Sequence, residues 1–417
     1  MSLDLPSRPG LRITETGLAR LVLMLFTWLI LVGGTPLSGS FEADADDAQG
    51  FVRTFAFLAG FLVALALAVA RGRLFRAVPL PLLFLILWCA LTLSWAIDPQ
   101  IALGRLGLGV VVTLTLFLSI DRIGVPQALR AVTLTVTIIL WADLATSMFI
   151  DSARHMVGER DADLVGLWRG LHGHKNIAGS VAALGLMLAL FQCRLRTWRF
   201  WLIMVPASLM LVGSGSRTAM AVLAATLVTT MLLKVVRWRR RERVLVAVLS
   251  LLALLMAALP ALAHLDAVSA FLDDPHNLTG RTALWQILVN YWLSHPWGSG
   301  FESFWRIGAA SPALAFSGTT GTFAAIAPHG HNGYLDMLAS TGLVGLSLTL
   351  FATMVFPLWL FFRNRRLDSH FAALGLALVL FFIFHNGLES SVLKGARVGW
   401  FVFCLGLGIL ASRVPKP

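Results

Sequence analysis

Apolar runs of roughly 17 to 25 residues recur along almost the whole chain, and this constrains the fold more than any single motif. As helices, such runs cover about 30 Å, the thickness of a bilayer's hydrocarbon core. In hydrocarbon every backbone N–H and C=O must be bonded within the protein, so runs of this length are expected as helices. Candidate spans begin near Leu18, Phe51, Val78, Ile101, Ala128, Asn176, Phe200, Arg217, Val244, Gly333, His370 and Val398. The expected fold is therefore an all-α, polytopic membrane protein with about twelve transmembrane helices. With 58% hydrophobic and 13% charged residues, only Ala263 to Gly330 is polar enough to stand outside. Residues 1–417 are thus expected as one integral membrane domain, with 263–332 as a long periplasmic loop containing an amphipathic helix. Arg8 and Arg12 precede a first run too long for a signal peptide and without a small-residue cleavage site, so it is expected to stay as the first span.

A net charge of +12 invites a nucleic-acid reading, but the distribution of the charges excludes it. Arg71, Arg73 and Arg76; Arg122 and Arg130; Arg194, Arg196 and Arg199; Lys234 through Arg243; Arg363, Arg365 and Arg366; and Arg413 and Lys416 fall in alternate connections. By the positive-inside rule these are cytoplasmic, as are both termini. The opposite connections carry Glu42, Asp44, Asp46 and Asp47, then Asp98, Asp151 to Asp163, and Asp266 to Glu302. The chain is thus expected to be an integral inner-membrane protein with its chemistry on the outer side. Arg53, Arg105, Arg154, Arg160, Arg169, Lys175, Arg217, Arg281, Arg306, Lys394 and Arg397 are then cations on the outer side, where each needs a partner, an acid or an anionic ligand. Cys89, Cys193 and Cys404 lie in or beside apolar runs, without a CxxC or a histidine at metal-ligand spacing, and read as packing residues.

Three segments carry candidate chemistry. Arg217 lies in Val212-Gly-Ser-Gly-Ser-Arg217, a tight turn between spans whose backbone N–H groups and following helix start favour an anion; a plain hairpin with a snorkelling Arg is the alternative. Arg281 opens an amphipathic segment with Leu284, Leu288, Tyr291 and Trp292 on one face, expected to lie on the outer membrane surface. An Arg gains nothing from a helix's first turn, so its place points to an anionic ligand or to a pairing with Asp273 or Asp274. His329-Gly-His331-Asn-Gly-Tyr-Leu-Asp336 ends the long loop and supplies a histidine able to act as general base. The same pair is half a metal site, with no third and fourth ligand in view.

The run His331-Asn332, nine residues, then Gly342-Leu-Val-Gly345 resembles the signature of the O-antigen ligase and bacterial polysaccharide polymerase family. Gly280-Arg-Thr-Ala-Leu-Trp285, His295-Pro-Trp-Gly-Ser-Gly-Phe301, Ser214-Gly-Ser-Arg217, Gly173-His-Lys-Asn176 and His385-Asn-Gly-Leu-Glu389 are similar to other pieces of that family, so the resemblance covers roughly Gly170 to Glu389. It implies transfer of a glycan from undecaprenyl diphosphate to an acceptor hydroxyl on the periplasmic face, with inversion and without a metal or other cofactor. The acceptor is a lipid-linked repeat unit or lipid A core, and the Gly-His-Lys-Asn piece leans toward exopolysaccharide polymerases. Arg217 and Arg281 match the family's arginines for the diphosphate, with Lys175 adding charge. His331 takes the role of base, with His329 as fallback, and His174, Asn176, Asn332 and Arg397 are candidates for substrate binding. Trp285, Trp292, Trp297 and Trp305 fit sugar stacking or interfacial anchoring equally well. Two rival classes remain. Asp44-Ala-Asp46 and Asp161-Ala-Asp163 have the spacing of a metal-dependent glycosyltransferase acting on lipid-phosphate sugars. Asp143 and Arg105 are ionisable residues of the kind a lipid-linked oligosaccharide transporter needs, though no internal repeat accompanies them.

Overall fold

The computed structural model describes residues 14–33, 36–37, 47–70, 77–156, 164–238, 281–316 and 327–412. The acidic pairs Asp44/Asp46 and Asp161/Asp163, the span near Val244, and Asp273 and Asp274 lie outside them.

The regular structure of the described residues is all helical, with no strands among them. The helices are α1 (Glu15–Leu31), α2 (Asp47–Val69), α3 (Leu80–Leu91), α4 (Pro99–Ile123), α5 (Val125–Phe149), α6 (Lys175–Gln192), α7 (Trp198–Ser214), α8 (Arg217–Trp238), α9 (Arg281–Ser294), α10 (Gly333–Leu350), α11 (Phe356–Arg363), α12 (Ser369–Asn386) and α13 (Val398–Ala411). Apart from the start near Val244, each expected span begins within a few residues of a helix start. Among the described residues, seven stretches are long and apolar enough to cross a membrane: those of α2, α4, α5, α6, α8 and α12, and Gly333–Arg363, in which α10 runs through a π turn into α11. The chain is thus a multi-pass membrane protein.

Local chemistry sets the boundaries. Asp98 caps α4 by accepting from Ile101 N–H at 2.9 Å, with Pro99 in the first turn. Gly124, at φ 76°, turns the chain from α4 into α5. Gly215, left-handed at φ 56°, lets α7 stop one residue before Ser216 and Arg217 restart the chain as α8. The innermost pair is α12 and α13. Gly375 and Gly406 lie back to back there, and a Cβ at either would come within 3.2 Å of the other's carbonyl oxygen. Such small residues give close helix approach where lipid supplies no hydrophobic drive. α6 and α8 pack on α12, α7 on α6, α2 on α4, and α1 on α5. Phe55, Leu58, Leu62, Phe84, Leu87, Leu103 and Val228 are exposed, as expected of a lipid-facing surface.

The segment after α9 is not draped over this bundle but keyed into it. α10 breaks at Gly342, whose φ of 68° and ψ of −173° are open essentially to glycine alone. A Cβ there would lie 2.5 Å from the carbonyl oxygen of Pro296. Helix carbonyls near the break take other donors: Ala339 accepts from Ser299 N–H at 3.0 Å and Thr341 from the Trp88 indole at 3.1 Å. Arg105 of α4 donates to the carbonyls of Glu302, Trp305 and Arg306 at 2.8, 2.9 and 3.1 Å, and Lys394 pairs with Glu302 at 3.1 Å. Asp143, on α5, accepts from Leu171 N–H and contacts His172 Nε2, both at 2.9 Å. Both ionisable residues that suggested a transporter therefore hold connecting segments in place.

Candidate active site

The first residues of α6, α8 and α9 are Lys175, Arg217 and Arg281, and α10 opens directly after the His329–Asn332 turn. A helix start carries unpaired N–H groups and a partial positive charge. These starts gather around a residue that the sequence reading did not assign to the site, Glu389, in the connection between α12 and α13. Its Oε1 accepts from Arg281 at 3.4 Å and from the Asn176 carboxamide at 3.5 Å. Its Oε2 lies 3.2 Å from His331 Nδ1 and 3.7 Å from His329 Nε2. Its backbone carbonyl takes the Gly333 N–H at 3.0 Å, fixing the start of α10. Asn176 accepts in turn from Ser216 Oγ at 3.1 Å, which ties the start of α8, and with it Arg217, to the start of α6.

Burial alone would raise the Glu389 carboxyl, but the contact with His331 and the charges of His331, His385 and Arg281 outweigh it and bring it down to about 2. Glu389 is therefore a carboxylate across the working pH range. His331 stands at a positive φ of 50° and turns Nδ1 to this carboxylate. A carboxylate beside Nδ1 favours the proton there and leaves the lone pair on Nε2. His329 is held far below the ordinary histidine range by burial first, then by His331, Arg397, Lys394 and Arg281.

His329, His331 and Glu389 bring ligand atoms within 4.8 Å of one another, the third ligand the sequence did not reveal. The hydrogen bonding of His329 weighs against a metal in this arrangement. His329 Nδ1 accepts the His331 backbone N–H at 3.2 Å, so the proton of the neutral ring sits on Nε2, the atom a metal would need bare.

The other predicted residues divide into two groups. His174 caps α6, its Nδ1 accepting from Asn176 N–H at 3.2 Å. Its ring packs edge-on to His155 at 5.2 Å. Burial, and then His155, lower it to about 4. Asn332 uses its carboxamide oxygen to cap α10, accepting from Tyr334 and Leu335 N–H at 3.1 and 3.2 Å. Both are thus committed to helix starts. Lys175 and Arg217 are first helical residues, Arg217 exposed. Arg397 sits at the N-cap of α13, within electrostatic reach of His329. Lys394, five residues after Glu389 in the sequence, pairs instead with Glu302. Leu284, Leu288 and Tyr291 are buried on α9 in a cluster with Phe304 and Trp305, whereas Trp292, expected on the same face, is only half-buried. The indoles of Trp285 and Trp305 point inward, to Gly330 O at 3.1 Å and Asp336 Oδ1 at 2.8 Å, while Trp297 is 64% exposed.

Residues 202–350, which run from α7 past Arg217, Arg281 and His331 into α10, match the family model described as O-antigen ligase. No curated protein matches the chain.

Proposed function

We propose, from a chain that the match over 202–350 supports as a member of the O-antigen ligase and polymerase family, that it is a metal-independent, inverting glycosyltransferase. It moves a glycan from undecaprenyl diphosphate to an acceptor sugar hydroxyl at the periplasmic face of the bacterial inner membrane. The observation that carries this reading is the gathering of four helix starts, with Lys175, Arg217 and Arg281 on three of them, around the Glu389–His331 contact.

In the transfer, the acceptor oxygen attacks the anomeric carbon from the face opposite the diphosphate. As the new C–O bond forms, the old one breaks and its electron pair leaves with the diphosphate oxygen. That growing charge is met by Arg217, Arg281, Lys175 and the helix N-termini, doing the work a divalent ion does elsewhere. The acceptor proton passes to His331 Nε2, and Glu389, facing Nδ1, stabilises the imidazolium that forms. Two unlike sets of groups thus serve the two ends of the reaction: cations for the leaving group, and a half-buried base beside a buried carboxylate for the nucleophile. The chain crosses the membrane about twelve times with both termini cytoplasmic, and residues 263–332 form the periplasmic loop. Among the two acceptors, a lipid-linked repeat unit is favoured over lipid A core, which makes the enzyme a polymerase.

The test is glycan transfer by purified protein in nanodiscs, with undecaprenyl diphosphate-linked repeat units and EDTA, comparing wild type with His331→Ala. Transfer in EDTA that drops by about 10² or more in the variant is expected for loss of a positioned base. Transfer that appears only with added Mg²⁺ or Mn²⁺, or a fully active variant, overturns the mechanism.

A further inference from the structure

The base proposed above sits on a turn, and a turn places a side chain accurately only if its peptides are held. His331 has a left-handed backbone and is preceded by glycine, a combination that would let the ring swing. Gly330, however, is gripped through both of the peptides that flank it. Its N–H lies 3.2 Å from each oxygen of the Asp336 carboxylate, and its carbonyl accepts from the Trp285 indole at 3.1 Å. Asp336 Oδ1 also accepts from the Trp305 indole at 2.8 Å. Trp305 stands in the segment that Arg105 lashes to α4, and Trp285 stands on α9, four residues after Arg281. A Cβ at Gly330 would meet Leu288 at 2.4 Å and Asp336 Oδ1 at 2.7 Å, so the backbone has been brought right up to the carboxylate.

We propose that Asp336, with Trp285, is a positioning device for the reaction. The two clamp Gly330 so that His331 stays turned between Glu389 and the acceptor, and they touch no substrate themselves. The inference rests on the reading of His331 as the base. Asp336 spends its carboxylate on a backbone N–H and an indole, donors that a helix residue facing lipid or solvent would never meet. The buried Asp336 carboxylate joins the 301–306 segment to the turn before α10, and Trp285 ties α9 to the same turn through the Gly330 carbonyl. The distance from His331 to the cations on α8 and α9 is thereby set by side chains outside the reaction itself.

Two readouts test it on the full-length protein. The first is transfer kinetics. Asp336→Leu should lower kcat about 10- to 100-fold, as loss of an orienting partner does, while KM for the lipid-linked donor stays unchanged, because Arg217 and Arg281 stand on other helices. Asp336→Asn keeps an oxygen for both donors and should restore most of kcat. The second readout needs no activity: the rate at which diethyl pyrocarbonate modifies His331, followed by mass spectrometry. It should change in Asp336→Leu and return to the wild-type rate in Asp336→Asn. If Asp336→Leu does not insert, Trp285→Phe, which removes the donor to Gly330 O and keeps an aromatic ring in the cluster, should change the modification rate in the same direction. Unchanged modification in the Leu variant or, where that variant does not insert, in Trp285→Phe overturns the clamp, as does an Asn variant no better than Leu. A wild type without transfer, together with the expected modification pattern, would instead sink the glycosyltransferase reading and leave the clamp standing.

Discussion

Glu389 joins the two halves of the site through its two oxygens, Oε1 toward Arg281 and Asn176 and Oε2 toward the histidines. Replacing it with Gln keeps the shape and removes the charge that the imidazolium needs. Glu389→Gln should therefore lower kcat by about 10² or more, toward the effect of losing the base itself, measured in the same transfer assay. Because Glu389 is held at about 2, it keeps its charge while pH falls through the acid range, and the acid limb of the rate profile in Glu389→Gln should be no sharper than in wild type. His174 gives a prediction on stability. Its native value of about 4 lies below the ordinary 6.5, so the unfolded chain takes up the proton first. Its contribution is complete above pH 6.5 and is lost as pH falls toward 4. His174→Asn supplies an uncharged cap for α6, so the drop of its thermal midpoint between pH 6.5 and 4 should be smaller than in wild type.

At the scale of elements, much was legible because span and cap signals are local. Apolar length gave the helices, and the Gly/Ser turn before Arg217 marked where α7 stops and α8 starts. Arg217, Arg281 and His331 were legible as outer-side polar residues with no role in a span. Glu389 was not, because one acid beside Lys394 and Arg397 in sequence reads as their partner. Only the packing of α12 against α6 and the hydrogen bond of α12 to Tyr334 of α10 bring it to Arg281 and His331, while Lys394 goes to Glu302. The break in α10 was hidden for the same reason: a glycine within an apolar run is common, and what requires it here is the carbonyl of Pro296, 46 positions earlier in the chain. Gly342→Ala places a Cβ 2.5 Å from that oxygen at a φ of 68° and should cost about 1–3 kcal/mol, read as a lowered unfolding midpoint in detergent. Gly104→Ala, inside α4 with nothing within 4 Å of its Cβ, should leave the midpoint unchanged or raise it.

The whole molecule has two unlike ends, and the site needs them to face opposite compartments. At one end Arg122 pairs with Glu15, Arg20 donates to Gln127 at 2.9 Å, and Asn364 donates to Leu410 O at 3.1 Å. These are the connections rich in arginine. At the other end lie the starts of α6, α8, α10 and α13 and the end of α12, with the histidines and Glu389 among them. The positive-inside rule assigns the first end to the cytoplasm, although Lys175, Arg217, Arg281 and Arg397 at the second weigh against it. The orientation holds if those cations are ordered for an anionic substrate and not for the insertion machinery. Alkaline phosphatase fused within Ala309 to Ala327 should then be active, and fused after Arg241 inactive. A green fluorescent reporter at the same two points should give the reverse. Both points on one side would mean that the segment before Arg281 does not cross, and Arg217 and Arg281 would then no longer share a compartment with each other. The reversed pattern would put the whole site in the cytoplasm, where a donor that has already been flipped outward cannot reach it.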